Sequence, residues 1–118
     1  MAYSQGKGGL YETISTQKAA ELIANHRDDS EFIILDVRTP GEFNDGHLPN
    51  AVLLDFYSES FIEKLERLKK TKTYLIYCHG GNRSGKTLDL IKTLGFEAVY
   101  NMGLGIKGWR SKRFPIVK

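Results

Sequence analysis

The chain has 118 residues, of which 41% are hydrophobic, 26% charged and 11% aromatic. These values are typical of one ordinary globular domain, and they exclude a two-domain enzyme, a disordered chain and a coiled coil. The single cysteine, Cys78, excludes an intramolecular disulfide and indicates a reducing compartment. The N-terminal residues lack the apolar stretch of a secretory signal, and no apolar run approaches the ~20 residues of a membrane span. We therefore expect a cytoplasmic protein without membrane contact.

The net charge of +3 conceals an asymmetry between the two halves of the chain. Residues 1–59 carry 4 Lys or Arg and 10 Asp or Glu, whereas residues 60–118 carry 13 Lys or Arg and 4 Asp or Glu. The second half is therefore expected to attract anions. It contains a basic cluster formed by Lys107, Arg110, Lys112 and Arg113. This cluster is interpreted either as a solvated face or as a surface for an anionic donor or an acidic partner. Since no aromatic side chains are interleaved with it beyond Trp109 and Phe114, no nucleic-acid partner is expected.

Short apolar runs alternate along the chain with segments of helical spacing. Strands are predicted at Phe32–Asp36, at residues 51–54, at Thr73–Tyr77 and around Val99 and Tyr100. Helices are predicted over Thr16–Asn25 with Ser15 as N-cap, from the capping-box pattern Ser60-x-x-Glu63, and from about Ser84 to Gly95. A short turn or helix is expected at Pro40 and Gly41.

This alternation predicts an α/β domain with a parallel sheet and helices on both faces. In such sheets, ligands bind outside the carboxyl ends of the strands. Asp36 ends one apolar run and Cys78 directly follows another, so both are expected at that edge. The only thiol of the chain is thus predicted to lie where active sites are found.

Cys78 opens a glycine-rich loop between a predicted strand and a predicted helix, Cys78-His79-Gly80-Gly81-Asn82-Arg83-Ser84. Glycines allow successive backbone N–H groups to point inward, and the following helix adds its positive N-terminal end. Such a cradle binds an oxyanion or stabilises a thiolate. A helix N-terminus lowers the pKa of a cysteine from its usual ~8.5, and Arg83 and Lys86 add positive charge nearby. The loop therefore favours a reactive cysteine over a merely buried one.

A nucleotide-binding loop is one alternative, because residues 80–87 satisfy the pattern G-x-x-x-x-G-K-[ST]. So short a pattern often arises by chance. Only 31 residues follow Thr87, and the strand that ends in Asp36 precedes the loop, although a magnesium-binding strand is expected after it.

A cysteine phosphatase is a second alternative, since its loop also joins a cysteine to an arginine. That loop has five intervening residues, whereas four separate Cys78 from Arg83. The smaller ring of amides suits a single sulfur atom better than a tetrahedral phosphate.

The loop pattern Cys78-x-x-Gly81-x-Arg83-Ser84 resembles the six-residue active-site loop of rhodanese-like sulfurtransferases, here residues 78–83. Three further segments are similar to motifs of that family and follow in the same order. They are Asp36-Val37-Arg38 with Glu42-Phe43, Gly46-His47-Leu48-Pro49-Asn50-Ala51, and Gly105-Ile106 with Trp109. The chain departs from the family at Asn50 and at Leu104, where glycine is usual.

The resemblance covers nearly the whole chain. It implies one domain at residues 11–118, with a five-stranded parallel sheet and helices on both faces, preceded by a flexible segment at residues 1–10. It also implies that Cys78 takes a sulfane sulfur from a donor such as thiosulfate and becomes a persulfide. The sulfur then passes to cyanide, to a small thiol or to a protein thiol, and no metal or other cofactor is expected. A persulfide carrier or regulatory module of the same fold, without turnover, remains the alternative.

The resemblance also implies roles for individual residues. The residues that follow Cys78 are expected to bind substrate mainly through backbone N–H groups: His79, Gly80, Gly81, Asn82, Arg83 and Ser84. Ser84 is expected to be the N-cap of the next helix, and Arg83 to form either a structural ion pair or a substrate contact.

Four residues outside the loop are also assigned roles. Asp36 and Arg38 are expected to orient the site without touching substrate. A surface ion pair between Arg38 and Glu42 is the alternative. His47 and Trp109 are expected to be packing residues.

Overall fold

A computed structural model of the chain describes residues 9–118. In this range the strands are β1 (Leu10–Ile14), β2 (Phe32–Asp36), β3 (Val52–Leu53), β4 (Thr73–Tyr77) and β5 (Ala98–Met102). The helices are α1 (Thr16–Asn25), α2 (Pro40–Asn44), α3 (Phe61–Arg67), α4 (Asn82–Ile91) and α5 (Gly105–Ser111). Of the predicted flexible segment 1–10, residues 1–8 lie outside the described residues, and Leu10 begins β1.

The five strands form one parallel sheet in the order β1-β5-β4-β2-β3. Strands β2 and β4 pair over their full length, so that Phe32 lies beside Thr73 and Asp36 beside Tyr77. The two strands therefore end together, and Cys78 follows at the carboxyl edge of the sheet. The predicted fold class and this placement of Cys78 are confirmed.

Each face of the sheet carries its own apolar core. Leu35 and Ile76 pack on one face with α3 and α4, whereas Ile34 and Leu75 pack on the other with α1 and α5. Since consecutive residues of a strand point to opposite faces, both central strands are buried on both sides. This explains why they are continuous apolar runs in the sequence.

Two elements did not stand out in the sequence. Strand β1 lies at the edge of the sheet and, among the described strands, pairs only with β5, and three of its five residues are exposed. Helix α5 contains Gly105 and Gly108, which are poor helix formers. A Cβ atom at Gly108 would lie 2.8 Å from Thr16 Oγ1, so this glycine allows α5 to pack closely against α1.

The predicted start of α3 is confirmed, because Ser60 occupies its N-cap position, but the predicted capping box is wrong. The Ser60 side chain makes no capping hydrogen bond, and its hydroxyl pairs instead with that of Ser58 at 3.0 Å. Both predicted ends of α4 were wrong. Helix α4 begins at Asn82 rather than near Ser84 and ends at Ile91. The chain then continues in turns to Gly95, which has a φ of +83°.

Candidate active site

The Cys78 side chain lies at the carboxyl end of β4, in the core beneath α4, and is 1% exposed. Its Sγ accepts hydrogen bonds from the backbone N–H of Gly81 at 3.1 Å and of Ser84 at 3.3 Å. The Ser84 Oγ lies 3.4 Å from the sulfur. The chain thus wraps around the sulfur atom and presents hydrogen-bond donors to it.

These contacts change the acidity of the cysteine. Burial raises the pKa of the Cys78 thiol, but hydrogen bonds from the Ser84 hydroxyl and from the backbone of Ser84, Gly81 and Arg83 lower it. The net result is a pKa below the ordinary value, because the hydrogen bonds favour the charged form. The site therefore favours a thiolate, the nucleophilic form of cysteine.

Ser84 is not the N-cap that the sequence predicted. Gly81 occupies that position with a φ of +108°, and Ser84 lies in the first turn of α4. The Ser84 Oγ is 3.4 Å from the Gly81 carbonyl oxygen and equally far from Cys78 Sγ. Its proton has two acceptors, so the hydroxyl donates to the sulfur when the sulfur is charged.

The nucleotide-binding alternative is not supported by the geometry. Gly85, Lys86 and Thr87 lie inside α4, a turn beyond its start. The Thr87 side chain is buried, and its Oγ1 donates to the Arg83 carbonyl at 2.9 Å. It is therefore not placed to bind magnesium at the mouth of the loop.

The glycine at position 81 is required by its surroundings. A Cβ atom there would lie 2.1 Å from the Gly103 carbonyl oxygen, at the end of β5. With its φ of +108°, this residue also adopts a conformation that L side chains rarely take. Both constraints hold the Gly81 N–H toward the sulfur.

Helix α5 fixes the other side of the loop. The N–H groups of Ile106 and Lys107 donate to the carbonyls of Cys78 at 2.9 Å and of His79 at 3.0 Å. A Cβ atom at Gly105, which has a φ of +62°, would lie 2.3 Å from the His79 carbonyl oxygen. The carbonyls of Cys78 and His79 therefore point toward α5, whereas the N–H groups of Gly81 and Ser84 point toward the sulfur.

Arg83 closes the loop through an ion pair that joins it to α2. Its Nη1 and Nη2 donate to the two Glu42 carboxylate oxygens at 2.7 and 3.0 Å. Glu42 is itself held by a capping box with Thr39, whose Oγ1 accepts from the Glu42 N–H at 3.3 Å. Of the two roles expected for Arg83, this geometry corresponds to the structural ion pair.

The role of Glu42 as the partner of Arg83 was not predicted from the sequence. The capping-box pattern Thr39-x-x-Glu42 indicates that Glu42 lies in the first turn of a short helix, but it does not indicate that Glu42 pairs with Arg83. The alternative ion pair between Arg38 and Glu42 is wrong, since Arg38 pairs with Asp36 instead.

Asp36 and Arg38 form a buried network behind the site. The Asp36 carboxylate accepts from Arg38 Nη2 at 2.7 Å and from the Tyr77 hydroxyl at 2.7 Å. The Tyr77 oxygen accepts from the Leu48 N–H at 3.1 Å, and Arg38 Nη2 also donates to the Gly46 carbonyl at 2.6 Å. Tyr77 directly precedes Cys78, so the network anchors the end of β4 from which the loop starts.

The two departures from the family motifs have different structural consequences. Asn50 has a φ of +69°, in the region where glycine is favoured and asparagine is the next best residue. Leu104 has an ordinary φ of −91° and is the N-cap of α5, with its side chain 63% exposed. Asn50 therefore preserves the backbone shape, whereas Leu104 adds an apolar side chain beside the loop.

His47 and Trp109 are packing residues, as predicted. The His47 ring stacks on Phe43 with centroids 3.7 Å apart, and its Nδ1 lies 2.8 Å from the Phe43 carbonyl oxygen. Trp109 is buried, and its Nε1 donates to the Pro115 carbonyl at 2.7 Å.

His79 and Gly80 are exposed and line a depression of about 410 Å³ with Leu104, Lys107, Gly108 and Ser111. A larger groove of about 710 Å³ lies between α1 and β2 and contains no residue of the loop.

Among residues 9–118, no group of three or more His, Cys, Asp or Glu is arranged to hold a metal ion. None of the described helices is long and apolar enough to cross a membrane.

Comparison with known proteins agrees with this geometry. The family model of the rhodanese-like domain matches residues 18–112. A sulfurtransferase of Allochromatium vinosum is 29% identical over 108 residues, which are 92% of this chain and 96% of that protein. The thiosulfate sulfurtransferase GlpE of Tolumonas auensis is 28% identical over 100 residues, 85% of this chain and 89% of that protein. The crystal structure of a rhodanese-related protein from Thermoplasma volcanium has a TM-score of 0.75 and 29% identity, covering 91% of this chain and 98% of its own.

Proposed function

We propose that this chain, which belongs to the rhodanese-like domain family, is a sulfurtransferase that uses Cys78 to carry a sulfane sulfur. The donor is thiosulfate or a compound of similar chemistry, and the acceptor is cyanide, a small thiol or a protein thiol. The observation that carries the proposal is the ring of N–H and O–H donors around the Cys78 sulfur. The names of the sulfurtransferase relatives support the same reaction class.

The first step is attack of the Cys78 thiolate on the outer sulfur of thiosulfate. A sulfur–sulfur bond forms to Cys78, the sulfur–sulfur bond of thiosulfate breaks, and its electron pair leaves on sulfite. The pKa of Cys78, below its ordinary value, increases the thiolate fraction available for this step at neutral pH.

The persulfide that results carries its negative charge on the outer sulfur. Donors fixed by the fold stabilise such a charge without having to reorganise during the reaction. We assign this role to the backbone N–H groups of the loop, with His79, Gly80, Gly81, Asn82 and Ser84 contributing through the main chain. Arg83 acts by holding the loop closed through Glu42.

The second step transfers the outer sulfur to the acceptor. An acceptor thiolate attacks the outer sulfur, the bond between the two sulfurs of the persulfide breaks, and Cys78 is released as a thiolate. Because Cys78 is the only cysteine of the chain, no internal disulfide resolves the persulfide. Sulfur therefore has to leave to another molecule.

The direct test is turnover with thiosulfate and cyanide. We expect sulfite and thiocyanate to form in equal amounts with ping-pong kinetics, and the Cys78→Ser variant to form neither. Loading of one sulfur without turnover with cyanide or any thiol would support the carrier alternative instead. Turnover that survives in Cys78→Ser would contradict the assignment of the nucleophile.

A further inference from the structure

Tyr57 has an aromatic side chain that burial in the core does not explain. At 67%, it is the most exposed of the large apolar side chains among residues 9–118. It lies in a turn that follows β3, where its N–H donates to Asp55 Oδ1 at 2.9 Å. The neighbouring Phe56, by contrast, packs against the core under α3 and α4. Phe56 therefore anchors the turn, and the Tyr57 ring is available for another contact.

That contact is with the last residue of the loop around the Cys78 sulfur. The Arg83 guanidinium carbon lies over the Tyr57 ring, 5.8 Å from its centroid. An aromatic face attracts a cation that lies within about 6 Å of its centroid, and the cation is more often an arginine than a lysine. Strands β3 and β4 are both parallel to β2, so the turn after β3 and the loop after β4 lie at the same edge of the sheet. The fold therefore brings Tyr57 to Arg83.

The position of the Tyr57 ring is fixed by a row of aromatic side chains. Its ring meets that of Phe56 at an angle of 84°, with centroids 5.4 Å apart. The Phe56 ring in turn lies 5.1 Å from that of Phe61 in α3, which is 4% exposed. Edge-to-face contacts of this kind are favoured by the charge distribution of aromatic rings. Because the row ends in the core, it holds the exposed ring over the guanidinium.

Arg83 is thus held by two elements outside its own loop. Glu42 of α2 accepts from both of its terminal nitrogens, and Tyr57 covers the guanidinium from the turn after β3. The Arg83 side chain is only 17% exposed. The backbone N–H groups at Arg83 and Ser84 donate to the Cys78 sulfur and favour its thiolate. A side chain fixed at position 83 therefore helps to fix these donors.

We infer that Tyr57 is a positioning residue of this site, whose ring holds the Arg83 guanidinium in its ion pair and so keeps the loop closed around the Cys78 sulfur. Tyr57 acts through Arg83 and not on the sulfur itself. The aromatic face carries this role, since a ring without a hydroxyl also attracts a cation. The role applies to the unloaded thiolate, and its effect on sulfur loading rests on the proposed function.

The test compares three variants by two titrations. Tyr57→Leu removes the aromatic face but keeps an apolar side chain, whereas Tyr57→Phe keeps the face. Leu10→Ala is the matched control, because it also truncates an exposed apolar side chain, on β1 at the opposite edge of the sheet from β3. Carbon-13 NMR follows the titration of the Glu42 carboxyl, and the pH profile of alkylation by neutral iodoacetamide follows that of Cys78.

For Tyr57→Leu, we expect the acid dissociation constant of Glu42 to fall roughly two- to fivefold, which corresponds to the strength of an exposed contact between a cation and an aromatic face. The midpoint of the Cys78 alkylation profile should move to higher pH, and loading by thiosulfate at pH 7 should slow by up to the same factor. Tyr57→Phe should retain most of the wild-type behaviour, and Leu10→Ala should leave both titrations unchanged.

Unchanged titrations in Tyr57→Leu, or equal shifts in Tyr57→Leu and Leu10→Ala, would overturn the inference. Equal shifts in Tyr57→Phe and Tyr57→Leu would assign the effect to the hydroxyl and overturn the role of the ring. A shift of Glu42 alone would confine Tyr57 to the ion pair and overturn its role in closing the loop. If thiosulfate does not load the wild type, the proposed function fails, while the two titrations still decide the role of Tyr57.

Discussion

Glu42 and Arg83 are 41 residues apart in the sequence, yet they form a two-pronged ion pair with N–O distances of 2.7 and 3.0 Å. This pair connects the capping box of α2 to the last residue of the sulfur loop. Its hydrogen bonds lower the pKa of Glu42 from 4.5 to about 2. Protonation of Glu42 therefore weakens the closure of the loop.

Glu42→Gln tests how much this ion pair contributes to stability at acid pH. A carboxylate whose pKa is lowered on folding stabilises the native state above its unfolded pKa and loses that contribution as the pH falls through the folded value. For Glu42 the loss occurs between pH 4.5 and about 2. The free energy of unfolding should be measured in urea at pH 6 and at pH 3. Its decrease between the two pH values should be smaller for Glu42→Gln than for the wild type, by roughly 0.5–1 kcal/mol for a solvent-screened pair. Equal pH dependence in the two proteins would refute this role of Glu42.

Ser84→Ala tests the hydroxyl beside the sulfur. Removing it takes away a hydrogen bond to the thiolate, so the pKa of Cys78 should rise. Loading by thiosulfate at pH 7 should slow by about tenfold, the effect of losing about 1.4 kcal/mol of stabilisation. The pH profile of alkylation of Cys78 measures the shift directly. Ser30→Ala changes an exposed serine and should leave the profile unchanged.

Gly105→Ala tests the close approach of α5 to the loop. Gly105 and Gly95 both have positive φ, +62° and +83°, so alanine at either position costs about 1–2 kcal/mol of backbone strain. Only at Gly105 would the new Cβ also meet the His79 carbonyl, whereas nothing lies within 4 Å at Gly95. Thermal unfolding should therefore show a larger loss of stability for Gly105→Ala than for Gly95→Ala, and only Gly105→Ala should also load sulfur more slowly. Equal losses of stability in the two variants would mean that the close approach of Gly105 to the His79 carbonyl is unimportant.

Tyr77→Phe tests the buried network behind the site. The Tyr77 hydroxyl donates to Asp36 and accepts from the Leu48 N–H, and its removal leaves that buried N–H unpaired. An unpaired buried donor costs about 1–3 kcal/mol, which urea unfolding should detect. The pH profile of Cys78 alkylation should change little, because the hydroxyl does not contact the sulfur. The control is Tyr100→Phe, at a half-buried tyrosine of β5, which should change the free energy of unfolding only slightly.

The parts of the fold that follow from local pattern were predicted from the sequence. The central strands β2 and β4 are apolar on both sides, so each appears as a continuous apolar run. Three of the five residues of β1 are exposed, and the strand gains its structure from pairing with β5, which the sequence of Leu10–Ile14 does not reveal. Helix α5 is formed despite two glycines because Gly105 and Gly108 allow contact with the loop and with α1.

The site was predicted less completely than the fold. Cys78 and its glycines are adjacent in the sequence, so their chemistry is visible there. The partner of Arg83, Glu42, cannot be identified from the sequence, because their pairing depends on how α2 packs against the loop. Ser84 was predicted to be the N-cap of α4, because a serine at the start of a helix usually is. In the structure Gly81 occupies the N-cap position, and the Ser84 hydroxyl faces the Cys78 sulfur.

If Cys78 carries sulfur within the ring of loop donors, its persulfide should be visible by intact mass after incubation with thiosulfate and removal of excess reagent. We predict a gain of one sulfur atom that is absent in Cys78→Ser and is removed by cyanide or dithiothreitol. Wild-type protein that gains no sulfur from thiosulfate, polysulfide or a small-molecule persulfide would contradict the role of Cys78 as sulfur carrier.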